Sequence, residues 1–399
     1  MVVLSHLTLV VGFNGNYNSR SLIPFSPSGH LMVLVFFILS GYVIGYSYGG
    51  SPDFNITTYL KKRLIRLYPI YFIAIFITIS LFSESLWVVF STLFFGQNLL
   101  TANLDHNPAL WSLNHEIVYY LLAIPIIKFR IRSIYIFTIL SALLIISLFI
   151  YSLPTIIEAY CTGFFFWFTG YTLSSVKQNN TDSKPGSARM IASIFLLLAC
   201  SSLNTFNVYL SKLTLLHSQP RFFLNDIVNA GDFALLPYCL AAVGIAACIN
   251  SKRLNLLLII VYLSSWIHLL KMLLNGFLFH SIDFLLPSIF LFVSSFIFLN
   301  KNFKKIALRI APSKTFLYLG SISFALYAIH LPIVFFIKSL HFVSGTLFTF
   351  FVRSFTVLTF SILIAHFLEK ILQPLIKAKF HPVNSKNVTA QTQICNLSS

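Results

Sequence analysis

Long apolar runs alternate with short polar connections along the whole of this chain. Residues 1–13 are apolar apart from Ser5, His6 and Thr8, and fall short of the ~20 residues that a membrane crossing needs. Residues 14–27 carry Asn, Gly, Ser and Pro and read as a loop. Residues 29–48 form a second run. The basic string Lys61-Lys-Arg-Leu-Ile-Arg66 follows, and Tyr68-Pro-Ile-Tyr71 opens a third run. Residues 86–95 are apolar but too short to cross, which predicts a re-entrant or interfacial piece. A fourth span starts near Pro108 and ends at Lys128-Phe-Arg-Ile-Arg132. Further apolar runs lie near 133–151, 155–175, 190–206, 233–249, 256–274, 284–300, 316–337 and 347–366. The pattern predicts an all-α fold, a polytopic transmembrane helical bundle of roughly ten to twelve spans.

Composition supports that reading. Of 399 residues, 57% are hydrophobic and 9% charged, where a soluble domain carries roughly a quarter charged residues. The net charge of +17 does not point to nucleic acid, because Lys and Arg cluster in every second connection. The clusters are Lys61, Lys62, Arg63 and Arg66; Lys128, Arg130 and Arg132; Lys177, Lys184 and Arg189; and Lys252 and Arg253. Lys301, Lys304, Lys305, Arg309 and Lys314 make the next, and Lys370, Lys377 and Lys379 the last, with Lys212 and Arg221 departing from the alternation. By the positive-inside rule these segments and both termini face the cytoplasm, and residues 207–232 form the largest loop on the far side. Five cysteines show neither metal-ligand spacing nor a disulfide framework. No cleavable signal peptide is visible. The expected organisation is a membrane-embedded domain over residues 1–375 and a polar, disordered cytoplasmic tail over 376–399.

Candidate chemistry concentrates in Trp111-Ser-Leu-Asn-His-Glu-Ile-Val-Tyr-Tyr120, which runs into a fully apolar stretch. A carboxylate entering hydrocarbon is expensive, so Glu116 is a functional candidate. On a helix, Ser112, Glu116, Tyr119 and Tyr120 share a face, with Trp111 and His115 paired one step around. The alternative is an interfacial helix start, with Trp and Tyr at headgroup level. Arg63 and Arg66 also share a helical face, at the mouth of a span, and guanidinium forks suit phosphate and pyrophosphate; an ordinary positive-inside cluster has the same composition. His6 is a lone imidazole in an apolar run, and His is the side chain most readily poised as a base near neutral pH. Ser323, Tyr327 and His330 make a second polar stripe in an apolar helix. Ser40 and Gly41 serve either close helix packing or a surface for a ligand, and residue types alone leave both open.

Four segments, taken in order, resemble the acyltransferase-3 family, polytopic membrane O-acyltransferases that decorate cell-envelope glycans. They are Val2-Val-Leu-Ser-His6, Phe36-Phe-Ile-Leu-Ser-Gly41, Arg63-Leu-Ile-Arg-Leu-Tyr-Pro69 and the Trp111 to Tyr120 stretch. Ile322-Ser-Phe-Ala-Leu-Tyr-Ala-Ile-His330, with Pro332, is similar to the family's late Ser-Tyr-x-Leu-Tyr-x-x-His helix. Ala365-His-Phe-Leu-Glu-Lys370 is similar to its closing Glu-containing stretch. The resemblance runs from residue 2 to about 370, and between about 133 and 315 it rests on hydrophobic spans alone. The family usually has an Arg eleven residues before its histidine, whereas this sequence begins five residues before His6, so the expectation is either a first helix that continues upstream or a member that works without that Arg. Met32 and Val33 stand where the family often has Gly-Val. With no esterase-like domain after the last span, the chain resembles the stand-alone members.

The resemblance implies transfer of an acyl group, most often acetyl, from cytoplasmic acetyl-CoA or another acyl-CoA to a glycan hydroxyl. It casts His6 as the catalytic base with Glu116 in its support, and places Arg63, Arg66 and Tyr68 at the donor. Ser40, Trp111, Ser112, Tyr120, Tyr327 and His330 are expected to bind substrate or support the site. An acyl-His intermediate is the alternative chemical route. No bound cofactor or metal is implied. The expected partners are acyl-CoA, a glycan or lipid-linked glycan acceptor and the lipid bilayer, with no nucleic acid, in the bacterial inner membrane. A transporter of a lipid-linked saccharide or small solute shares the spans and the intramembrane His and Glu. It predicts inverted repeats, and the sequence displays none.

Overall fold

The computed structural model describes residues 2–10, 28–149, 155–175, 187–200, 203, 205–206, 228–247, 251–276, 282–299, 314–340 and 347–380. The loop expected at 14–27, most of the 207–232 loop, the basic positions between 301 and 309, and residues 381–399 of the tail lie outside them. The described residues are helical, with one isolated bridge between Gln97 and Thr101.

The first five helices build the site together with two later ones, Thr155–Leu173 and Ser323–Ser339. The first five are α1 (Val2–Val10), α2 (Gly29–Tyr48), α3 (Ile56–Leu81), the short α4 (Leu86–Leu93) and α5 (Trp111–Lys128). Then come α6 (Ser133–Phe149), α7 (Thr155–Leu173), α8 (Ser187–Cys200), α9 (Leu236–Ala246), α10 (Lys252–Leu274) and α11 (Ile282–Leu299). Last are α12 (Lys314–Ser321), α13 (Ser323–Ser339), α14 (Leu347–His366), a π-turn (Phe367–Leu372) and α15 (Gln373–Phe380). Ser28 and Asn55 start α2 and α3 by accepting the amides of Leu31 and Thr58, which meets donors a helix start leaves free.

Five described segments are long and apolar enough to cross a membrane: Gly29–Tyr48, Ile56–Leu81, Pro108–Lys128, Lys252–Leu274 and Phe348–Phe380. Five shorter apolar helices join them. Aromatic and aliphatic side chains such as Phe72, Phe76, Leu263, Phe355 and Phe360 coat the outside of the bundle, while Tyr59, Tyr71, Tyr119, Asn114, His115 and Glu116 are buried inside. Apolar outside and polar within is the arrangement a lipid solvent selects.

α2 and α7 pack most closely. A methyl group at Gly41 would meet the carbonyl of Trp167, one at Gly45 the carbonyl of Tyr171, and one at Gly170 the carbonyl of Ile38. Small residues on both helices bring the backbones together, as in small-xxx-small membrane pairs. α13 lies against α1, α3 and α14.

Three expectations change. The run at 316–337 is two helices broken at Ile322, where Ser321 and Ser323 turn their hydroxyls back onto the carbonyls of Tyr318 and Gly320. Ser323 is thereby exposed and leaves the polar stripe of Tyr327 and His330. α15 runs to Phe380, so residues 376–380, expected in the disordered tail, are helical. Residues 86–95 do hold a helix of only eight residues, about 12 Å long, which cannot cross.

Candidate active site

A 3₁₀ turn, Pro108–Leu110, feeds directly into α5, and every residue from Trp111 to Glu116 is buried. Glu116 is 2% exposed and Trp111 6%. This turn of α5 packs inside the bundle and does not turn its Trp and Tyr outward. Glu116 Oε1 accepts the hydroxyl of Ser40 from α2 at 2.8 Å and the phenol of Tyr120 one turn on. The indole of Trp167 on α7 donates to Ser40 Oγ at 3.3 Å. Three helices therefore converge on one carboxylate oxygen. Oε2 is buried with no partner among the described residues. A buried carboxylate with an open oxygen is costly and marks a place for another donor.

Arg63 on α3 reaches the ring of Tyr120, whose phenol donates to Glu116. The Arg63 guanidinium lies 5.7 Å from the ring of Tyr48, 6.0 Å from Tyr59 and 5.7 Å from Tyr120. These distances place the cation within cation–π range of three rings. Tyr59 also donates to the carbonyl of Tyr120 at 3.2 Å, fixing α3 to α5. Arg66 is exposed. Tyr68 turns away toward α4, its ring 6.4 Å from Phe72 and 6.1 Å from Phe95, so it does not join the tyrosines around Arg63.

A second polar group lies on α13. Tyr327 donates to the carbonyl of Ala109 at 2.6 Å, so Ser112, 2.7 Å from the same phenol, is the donor to it. His330 Nδ1 lies 2.6 Å from the carbonyl of Tyr327, which can only accept, so the proton sits on Nδ1. Nε2 then carries a lone pair and has no partner among the described residues. The rings of His6 and His330 are 5.2 Å apart. The ring contact of His6 is thus with His330, while the carboxylate of Glu116 is engaged by Ser40 and Tyr120.

These groups form one polar seam through an apolar bundle. It runs from Arg66 and Arg63 through Tyr120, Glu116, Ser112, Tyr327 and His330 to His6. Ser112 to Tyr120 alone covers ~12 Å along α5. Trp111 and His115 pack edge to face at 5.1 Å, outside the seam, with His115 stacked on Tyr160 at 4.1 Å.

Sequence reasoning missed Trp167, Tyr59, Asn114 and Tyr160. Asn114 is held between the carbonyl of Phe95 and the hydroxyl of Tyr160. The signal for Trp167 was there: it lies between Gly163 and Gly170, glycines at a helical interval in an aromatic run. The structure also separates two adjacent residues. Gly41 serves helix packing and Ser40 serves Glu116.

The acyltransferase-3 family model, an acyltransferase domain, matches residues 1–267. No curated protein and no solved structure matches the chain. The family match covers α1 to α5 with His6, Ser40, Arg63, Arg66 and Glu116, and stops before α13, whose Tyr327 and His330 join the seam by contact alone. With two thirds of its length under that match and its polar residues gathered inside an apolar helical bundle, the chain belongs to the acyltransferase-3 family of membrane acyltransferases.

Proposed function

We propose that this protein transfers an acyl group, acetyl by expectation, from a coenzyme A thioester to a hydroxyl of a cell-envelope polysaccharide or its lipid-linked precursor. The observation that carries the proposal is the seam itself: two guanidinium groups at one end, two imidazoles at the other, and a buried carboxylate between them. Arg63 and Arg66 suit the donor's phosphates, and fork geometry gives them bidentate contacts. The thioester arm then has to reach along the seam, a distance of the order of the ~12 Å spanned on α5.

In this reading His6 takes the proton of the acceptor hydroxyl as its oxygen attacks the thioester carbonyl carbon. The carbon–sulfur bond breaks, an ester forms, and the imidazolium returns the proton to the departing sulfur. His330, with its Nδ1 proton fixed on Tyr327, presents a basic Nε2 beside His6. Glu116 steadies the developing positive charge through the seam. The bacterial inner membrane, with both termini and the Arg end in the cytoplasm, is the setting that fits a cytoplasmic donor and an envelope acceptor. The test is direct. Purified protein given acetyl-CoA labelled in the acetyl group should hydrolyse it slowly alone and label a glycan acceptor when one is supplied. Neither hydrolysis nor labelling, in protein shown to be folded, defeats the proposal.

A further inference from the structure

Three helices of the seam carry an interior proline: Pro69 in α3, Pro125 in α5 and Pro332 in α13. A proline inside a helix has no N–H for the carbonyl four residues earlier, and its ring pushes that carbonyl aside. In α3 and α13 the freed carbonyls are those of Ile65 and Ala328. Each is met by a buried primary amide from elsewhere in the chain. Gln373, at the start of α15, donates to Ile65 O at 2.8 Å and to Arg66 O at 3.1 Å. Asn107, just before α5, donates to Ala328 O at 3.0 Å and lies 3.3 Å from the Thr78 hydroxyl. Gln373 is 2% exposed and Asn107 fully buried. Carbonyls only accept, so the amide nitrogens must face them.

We infer that Gln373 and Asn107 are positioning residues, each replacing the hydrogen bond that a proline removes from a helix carrying the site. Gln373 acts on the very residue, Arg66, whose side chain stands at one end of the seam. The π-turn Phe367–Leu372 leads directly into Gln373. A π-turn shifts helical register by one residue, which brings side chains to positions a regular helix would not. Asn107 acts within one turn of Tyr327 and His330 at the other end. The kinetic part rests on the proposed donor end at Arg63 and Arg66; the structural part does not.

The experiment is a pair of double-mutant cycles with two readouts, donor kinetics and amide hydrogen exchange. Gln373→Leu should raise the KM for acetyl-CoA roughly tenfold, with kcat little changed, and speed exchange in residues 61–72 to a similar degree. Asn107→Leu should lower kcat roughly tenfold with donor KM little changed, and speed exchange in residues 326–333. The same substitutions in the Pro69→Ala and Pro332→Ala backgrounds should have no such effect, because the helix then supplies its own N–H. Exchange unaltered by Gln373→Leu and by Asn107→Leu, or altered equally with and without the prolines, overturns the inference. If Arg66→Ala leaves donor dependence unchanged while the exchange cycles behave as stated, the donor end fails and the proline-repair role stands.

Discussion

Glu116 and His330 lie in one seam, but the protein holds them by different means. Glu116 is gripped by side chains from three helices: the hydroxyl of Ser40 on α2, the phenol of Tyr120 on α5, and Trp167 on α7 behind Ser40. His330 is held by a backbone carbonyl of its own helix, and its neighbour is another imidazole. The carboxylate is fixed in place, and the Arg63 guanidinium reaches the ring of the Tyr120 that donates to it. His330 is fixed in tautomer, and its Nε2 has no partner among the described residues. A group that handles charge gains from being rigid and compensated, whereas a group that handles protons needs an open lone pair. Under the proposed function, the contrast gives proton transfer to the His6 end and charge compensation to the Glu116 end.

The largest expected effect tests the histidine half. His6→Gln keeps shape and one hydrogen bond but cannot take the proton. Transfer should fall by ~10²–10⁴-fold, with the amount of protein in the membrane unchanged. Near wild-type transfer would move the base to His330 or His115 and reverse the contrast. His330→Gln, measured alongside, sharpens it: a loss as large as that of His6→Gln means the two rings act as one unit.

Next comes the charged half. Arg66→Ala and Arg63→Ala should each raise the acyl-CoA concentration needed by roughly ten- to a hundredfold, the cost of a lost charge-assisted contact. Arg63→Lys should show the same loss, because an ammonium lacks the planar fork that binds phosphate bidentately. Equal donor dependence in all three variants and wild type would leave the arginines with a topological role only.

Packing beneath the Glu116 cluster gives a smaller effect. Gly41→Ala drives a methyl group into the carbonyl of Trp167, and overpacking of this kind costs ~1–3 kcal/mol. The melting temperature in detergent should drop, and the loss should be absent for Val43→Ala on the exposed side of the same helix. The smallest change is Ser40→Ala, which removes one hydrogen bond to Glu116. A net hydrogen bond is worth ~0.5–1.5 kcal/mol, so transfer should slow by roughly two- to tenfold, without a shift in donor dependence. A shift in donor dependence there would tie Ser40 to the donor and not to the carboxylate.

Much of this site was legible before folding. Glu116, His6, Arg63, Arg66, Tyr120 and Tyr327 drew notice because polar side chains in apolar runs are rare and expensive. Ser40 was visible but indistinguishable in purpose from Gly41 beside it. Trp167, Asn107 and Gln373 were not visible, since an indole or an amide near a span end has many unremarkable uses. Their importance comes from partners far along the chain: Trp167 meets Ser40, Asn107 meets Ala328, and Gln373 meets Ile65.

The sequence by itself determined the helical membrane bundle, the apolar runs that form it, the family, and which residue types could carry the chemistry. Those are local properties: hydropathy sets what enters lipid, period sets which residues share a helix face, and basic connections set orientation. Only the tertiary structure decided which partner each polar residue meets. It paired His6 with His330, gave Glu116 to Ser40 and Tyr120, turned Tyr68 away from Arg63, and assigned Gly41 to packing. The physical reason is that a buried polar atom is satisfied by whatever the fold brings within hydrogen-bonding distance. Helices joined by long connections can meet in many registers, and close backbone contact between α2 and α7 selects one of them.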